Sequence, residues 1–286
     1  MSRRLSILFL LVQAWAIQAQ LPDTELWLFK IDQKKTGPVL GNALNITKRA
    51  GYDNQPSFST NGKKIYYVSI REDKQADIYY YDLKKKKNVQ LTHSAISEYS
   101  PLETVDGKLL TSVVVESDSS QTIHFINAVN GVHEKKLEQD SVGYYTFLNA
   151  DTVVYYKLTE PHSLRFFAQN SQGEKWLGNS PARAFRAIDR NTLLYALKDS
   201  VKTTFYKYSF ILHKAQRYAE YPSPNEDFVW HPTLGLVKSE GNKLLRFNES
   251  EKEWVILFDL APFQIKKITR FNFDPKNKYL VVAENL

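Results

Sequence analysis

The sequence predicts an all-β fold: a six-bladed β-propeller of four-stranded antiparallel blades, closed by N-terminal strands pairing with C-terminal strands. Three observations predict it. The 286-residue chain holds 17 Tyr and 16 Phe against a single Met, and aromatic side chains suit a pleated, half-buried surface. A four-strand pattern recurs every 40 to 45 residues or so, a period at which repetition decides the architecture. The two ends of the chain each supply half of one further unit.

The clearest unit runs from Pro56 to Thr92. In KKIYYVSI, residues 63–70, apolar side chains fall on both faces of a strand, and DIYYYDL, residues 77–83, reads the same way. Arg71 to Ala76 is a polar turn too short for a helix. Before the pair, Ser59-Thr60-Asn61-Gly62 is expected to be a tight hairpin, because Asn-Gly supplies the positive φ values that a two-residue connection needs. A fourth short strand starts at Val89.

The later units keep this order. The second is SPLETVDGKLLTSVVVES, QTIHFINAV and HEKKLE, with Asp106-Gly107-Lys108 where the first has Asn61-Gly62-Lys63. The third is YYTFLNADTVVYYKL, LRFFAQN and EKWLG. AFRAIDRNTLLYALK, TTFYKYSFI and AQRYAE make the fourth, and FVWHPTLGLVKS, KLLRFN and EWVILFDL the fifth. Residues 262–286 hold only a first half, and residues 24–47 only a second half, in ELWLFKID and NALNIT. Half and half complete a sixth blade, the closure that leaves a propeller with only short, protected edges.

The first unit resembles the repeat of the TolB-type propellers. That repeat has a Pro-Ser-Phe-Ser-Pro-Asp-Gly-Lys-like turn, an Arg-Asp-Gly-type turn, an Asp-Ile-Tyr strand and a Leu-Thr end. Here these are Pro56 to Lys63, Arg71 to Asp73, Asp77 to Tyr79 and Leu91-Thr92, with Thr60-Asn61 in place of Pro-Asp. The second unit matches in part and the others in rhythm only. The resemblance implies the propeller fold and a role in a bacterial envelope. It names no ligand, because the matched residues build turns and strands.

Residues 1–19, MSRRLSILFLLVQAWAIQA, have a basic start, an apolar run and a small residue at the end, the layout of a cleaved secretory signal. The run Leu5 to Val12 is too short to span a bilayer of roughly 30 Å. The expected product is one propeller domain over residues 20–286, periplasmic or secreted, with no integral membrane segment after cleavage near Ala19. The chain has no Cys, so its stability outside the cytoplasm rests on its core rather than on disulfides. It carries 38 basic against 31 acidic residues, and the excess falls to about five without Arg3 and Arg4. That mildly basic balance is a poor argument for nucleic acid.

Few motifs carry chemistry. No Gly-x-Ser-x-Gly elbow is present, which argues against a peptidase fused to a propeller. The six histidines, His93, His124, His133, His162, His213 and His231, show no close ligand spacing, and no metal or other cofactor is expected. Of these, His93 lies on an inter-blade connection and is the most plausible ligand. Asp140, Glu226 and Asp227 are placed where a glycosidase pair would sit. The run Lys84-Lys85-Lys86-Lys87 is expected at an exposed outer tip, without the interleaved aromatics that single-stranded nucleic acid requires.

A binding surface is expected instead on the connections leading into the innermost strands. Asp53-Asn54-Gln55, Glu98-Tyr99-Ser100, Gly143-Tyr144-Tyr145, Arg183-Ala184, Glu226-Asp227 and Thr269-Arg270 correspond around the ring. Gln55, Tyr99, Tyr144, Arg183, Asp227 and Arg270 are the residues expected to bind, since Tyr and Arg dominate interface hot spots. The function this predicts is an exported, non-enzymatic propeller that holds a protein or peptide of the envelope at one channel face. The alternative is a carbohydrate-active propeller, with a glycan as ligand: a lyase, glycosidase or lectin, with or without a metal.

Overall fold

The computed structural model describes residues 22–169 and 173–286; the signal segment expected at residues 1–19 lies outside them. The described residues form 24 β-strands and one turn of 3-10 helix, and no helix among them is long and apolar enough to cross a membrane. Among the described residues the fold is all-β, with four four-stranded antiparallel sheets and one eight-stranded sheet, consistent with a propeller.

Two strands come first, β1 (Thr24–Lys34) and β2 (Gly37–Asn45). The unit around Pro56 then gives β3 (Tyr52–Phe58), β4 (Lys64–Ile70), β5 (Ala76–Asp82) and β6 (Lys87–Gln90). The following sheet holds β7 (Ser97–Glu103), β8 (Leu109–Val115), β9 (Gln121–Asn127) and β10 (His133–Lys136). Next come β11 (Val142–Asn149), β12 (Thr152–Lys157), β13 (Ser163–Ala168) and β14 (Lys175–Asn179). The next sheet is β15 (Pro181–Asp189), β16 (Thr192–Lys198), β17 (Thr203–Ser209) and β18 (Lys214–Tyr221). Then follow β19 (Phe228–His231), β20 (Gly235–Glu240), β21 (Lys243–Asn248) and β22 (Glu253–Asp259), and last β23 (Ile268–Phe273) and β24 (Tyr279–Asn285).

The two ends of the chain pair as expected. β1 runs antiparallel to β24 from Thr24 opposite Asn285 to Lys30 opposite Tyr279, and carries β2 on its other side. A single parallel bridge, Thr24 to Tyr52, links this closing group to the sheet of β3 to β6, so the two count as one eight-stranded sheet by hydrogen bonding.

The apolar cores lie between neighbouring sheets. Tyr66 and Ile78 of one sheet pack with Leu110 and Ile126 of the next. Val113 and Ile123 meet Val153 and Tyr155. Val154 and Leu164 meet Leu193 and Tyr195, and Leu194 and Phe205 meet Phe228 and Leu236. Val237 and Leu244 meet Phe29 and Val282 of the closing group, whose other face gives Leu26 and Leu28 to Ile65 and Tyr67. This is why KKIYYVSI shows no simple alternation: β4 is buried on both faces, Tyr66 against one neighbour and Tyr67 against the other.

The hairpin at Asn61-Gly62 differs from the two-residue turn expected. The connection spans residues 59–63, and only Gly62 has a positive φ, of 68°. Ser59 accounts for the difference. Its Oγ accepts the backbone N–H groups of Lys63 and Lys64 at 3.0 and 2.9 Å, an ordering that a two-residue loop has no length to provide. Thr104 and Asp274 begin equivalent turns, closed at Gly107 and Asn277.

Candidate functional site at the channel mouth

The first strand of each sheet touches the first strand of the next. β3 meets β7, β7 meets β11, β11 meets β15, β15 meets β19, β19 meets β23 and β23 meets β3. These strands line a central channel, and five of them are irregular. Register shifts fall at Asn54/Ser57, Tyr99/Leu102, Val142/Tyr144, Pro181/Phe185 and Ile268/Arg270. Bulges of this kind bend a strand and re-aim its side chains. At two of them an ordinary residue adopts the left-handed conformation, Gln55 at φ 58° and Ser100 at φ 55°, which costs each of order 1 kcal/mol.

The six predicted segments lie almost entirely inside these strands rather than on connections, which corrects the expectation; only Glu226-Asp227 precedes its strand. A bulge interrupts the ladder without ending it, so a segment that breaks alternation reads as a loop.

The bulges gather most of the predicted side chains. Arg183 donates to Asp227 through Nε, at 3.1 Å to Oδ1, and through Nη2 to Oδ2. The same Nη2 reaches the carbonyl of Thr269 at 3.0 Å. Arg270 Nη1 donates to Asp227 Oδ1 at 2.8 Å and to the Thr269 carbonyl at 2.9 Å. Its guanidinium lies 5.6 Å from the centre of the Tyr144 ring. Asp227 is therefore held between two guanidinium groups, with its side chain 10% exposed. Beside them, Glu226 pairs with Lys198 and accepts the Arg183 backbone N–H at 3.0 Å.

The Tyr52 hydroxyl completes this group. Burial pushes its pKa up to about 12 against the pull of Arg270, and the Tyr144 and Tyr99 hydroxyls add to the rise. Gln55 joins two sheets: its Oε1 accepts the Ser100 backbone N–H at 2.6 Å, and its Nε2 points to the Tyr52 hydroxyl at 3.4 Å. Gln55, Tyr99, Tyr144, Arg183, Asp227 and Arg270 thus belong to one neighbourhood centred on Tyr52 and Asp227.

Sequence reasoning missed Arg186. It lies further along β15, within electrostatic range of Asp227 and Arg270, and burial lowers its pKa to about 10. Its Nη1 donates to the Phe185 carbonyl at 2.9 Å, and no carboxylate among the described residues forms an ion pair with it. The only available signal was the RAFR spacing within one strand, which is unremarkable without the bulge.

The other candidates lie elsewhere. His124 and His133, which show no ligand spacing in the sequence, meet through Nδ1 atoms 2.8 Å apart. Their Nε2 atoms lie 2.9 Å from Glu116 and from buried Glu98. Each ring thus lies between the other ring and a carboxylate, and burial lowers the His124 pKa from its ordinary value. His93 is exposed. Among the described residues, no group of three or more His, Cys, Asp or Glu is placed to hold a metal ion. Asp140 lies 3.6 Å from Lys157, so each carboxylate considered for glycosidase chemistry is engaged by a cation. Lys84 to Lys87 are exposed, at a tip ordered by Asp82, which accepts the N–H groups of Lys84 and Lys85.

No family model matches the chain, and no curated protein matches its sequence. Solved structures do match in shape. A TolB-type structure from Agrobacterium tumefaciens superimposes with a TM-score of 0.66 at 10% identity, over 93% of this chain and 99% of that one. TolB from Acinetobacter baumannii gives 0.58 at 12% identity, over 91% of this chain and 63% of that one. An oligogalacturonate lyase in complex with manganese gives 0.54 at 12% identity, over 85% and 80%. At such identities the likeness is one of fold, and the fold is a TolB-like β-propeller.

Proposed function

We propose that this is an exported six-bladed propeller that binds a protein or peptide of the cell envelope at the channel mouth around Asp227. The blade count treats the eight-stranded sheet as two blades, and the ring of contacts between first strands supports it. The pattern of residues 1–19 supports export to the periplasm or beyond. One observation carries the binding reading: the mouth is built from Tyr52, Tyr99, Tyr144, two arginines and an amide. These are the residue types that anchor protein interfaces.

The test is a pull-down from the native envelope, followed by titration of variants against whatever is recovered. Tyr99→Ala, Tyr144→Ala and Arg270→Ala should each lose roughly 2 kcal/mol of binding while melting as the unaltered protein does. Replacing Lys84 to Lys87 with Gln should matter far less, because exposed charges are screened within about 8 Å at physiological salt. Loss of binding in the lysine variant alone would move the recognition surface to the outer rim.

A second reading is a carbohydrate-active propeller, favoured by the likeness to the manganese-bound lyase. Unsaturated products released from oligogalacturonate, with manganese supplied, would establish it.

A further inference from the structure

Arg183 and Arg270 both hold Asp227, and Arg186 lies within electrostatic range of that carboxylate without pairing with it. The other charged groups facing them, Lys198 and Glu226, neutralise each other, so Asp227 leaves two positive charges in excess. The surplus has unused donors. A guanidinium carries five N–H donors, and Arg186 uses only Nη1 among the described residues. Among the described residues Arg270 likewise hydrogen-bonds only through Nη1, and Arg183 only through Nε and Nη2. All three guanidinium side chains are half-buried, so an incoming anion would meet their spare donors in surroundings that strengthen the attraction relative to open water.

Resting on the binder reading above, we propose that the mouth is a receptor for an acidic peptide segment, one of whose side-chain carboxylates enters the channel and pairs with Arg186 and Arg270. The planar fork of arginine matches a carboxylate with two parallel hydrogen bonds. The geometry favours a carboxylate on a slender stem. Arg183 reaches across to the Thr269 carbonyl on β23 and narrows the opening. Arg186 lies three residues further along β15, past the register shift between Pro181 and Phe185. A Glu or Asp side chain can pass such a constriction, whereas the carboxyl of a uronic acid is fixed directly to its sugar ring. The rings of Tyr52, Tyr99 and Tyr144 then remain for the peptide backbone at the rim.

The experiment uses the exported protein and three fluorescent probes: a short peptide of alternating Glu and Ser, its Gln and Ser counterpart, and an oligogalacturonate. The acidic peptide should bind at least about tenfold more tightly than its neutral counterpart, with an affinity that falls as salt rises. Arg186→Gln should abolish that preference while leaving the melting temperature unchanged or higher, since it removes an unpaired cation. Arg186→Lys should restore part of it. Equal binding of both peptides, lost together in Tyr144→Ala but unaffected by Arg186→Gln, would keep the mouth as a protein-binding face and overturn the carboxylate receptor. Arg186-dependent binding of the oligogalacturonate alone would overturn the peptide. No Arg186-dependent binding of any probe would overturn the proposal outright.

Discussion

His231 stands where other hairpins place an oxygen. In the turn after β23, Asp274 Oδ1 accepts the N–H groups of Lys278 and Tyr279. In the turn after β19, His231 Nδ1 accepts the N–H groups of Thr233 and Leu234 at 3.2 and 3.1 Å. The nitrogen can do this only while it carries no proton. Burial lowers the His231 pKa from 6.5, against weaker opposing pulls from Asn277 and Asp274. The folded value therefore lies below the unfolded one, and as pH falls the unfolded chain takes up the proton first. The stability linked to this residue is complete above about pH 6.5 and is lost as pH drops through the folded value. Melting temperature should accordingly fall between pH 7 and pH 5, and His231→Asn, which keeps an acceptor without titrating, should flatten that decline. A parallel decline in the variant would place the sensitivity elsewhere. The role was hidden in the sequence because HPTLG reads as a turn whatever its first residue does. The pairing of His124 with His133 was hidden for a related reason: a register shift between His133 and Lys135 decides which residues of β9 and β10 meet.

At the scale of elements, strand order was legible throughout, because turn residues and paired apolar runs recur with each unit. What the turns do was less legible. Gly62 and Gly131 both adopt positive φ, 68° and 73°, yet they face different surroundings. A Cβ at Gly62 would have room, its nearest neighbour being Asp274 Oδ2 at 3.6 Å. A Cβ at Gly131 would lie 2.0 Å from the Leu91 carbonyl oxygen of the neighbouring sheet. Gly62→Val should therefore cost only its backbone strain, about 1 to 3 kcal/mol. Gly131→Ala, with a smaller side chain, should cost more, because the two sheets must separate to admit it. Urea denaturation of both variants checks the order, and a milder loss at Gly131 would mean that the joint between the sheets is slack.

For the molecule as a whole, the half-units at either end made the closure legible, and β1 carries it. Leu26 and Leu28 enter one core while Phe29 and Ile31 enter the next. Four such side chains are worth about 6 to 12 kcal/mol together, as much as the whole stability of a typical domain, about 5 to 15 kcal/mol. Deleting the chain through Asp32 should abolish cooperative unfolding near the original melting temperature and leave the β24 edge free to aggregate. An undiminished melting temperature would rule out the shared sheet. The site was legible to the extent that equivalent positions around a ring must converge. Arg186 was not, since it lies outside the aligned segments and its place depends on the bulge in β15.

The same closure sets how the protein answers to mechanical load. Thr24 and Asn285 are partners at one end of the β1–β24 ladder, and the Leu286 N–H donates to the Asp23 carbonyl beside them. A pull applied to both ends of the domain therefore bears on one hydrogen-bonded pair at a time, peeling the ladder like a zipper instead of shearing all its bonds at once. Tethered by its two ends, this ring is built to open at low force, and it opens at the seam.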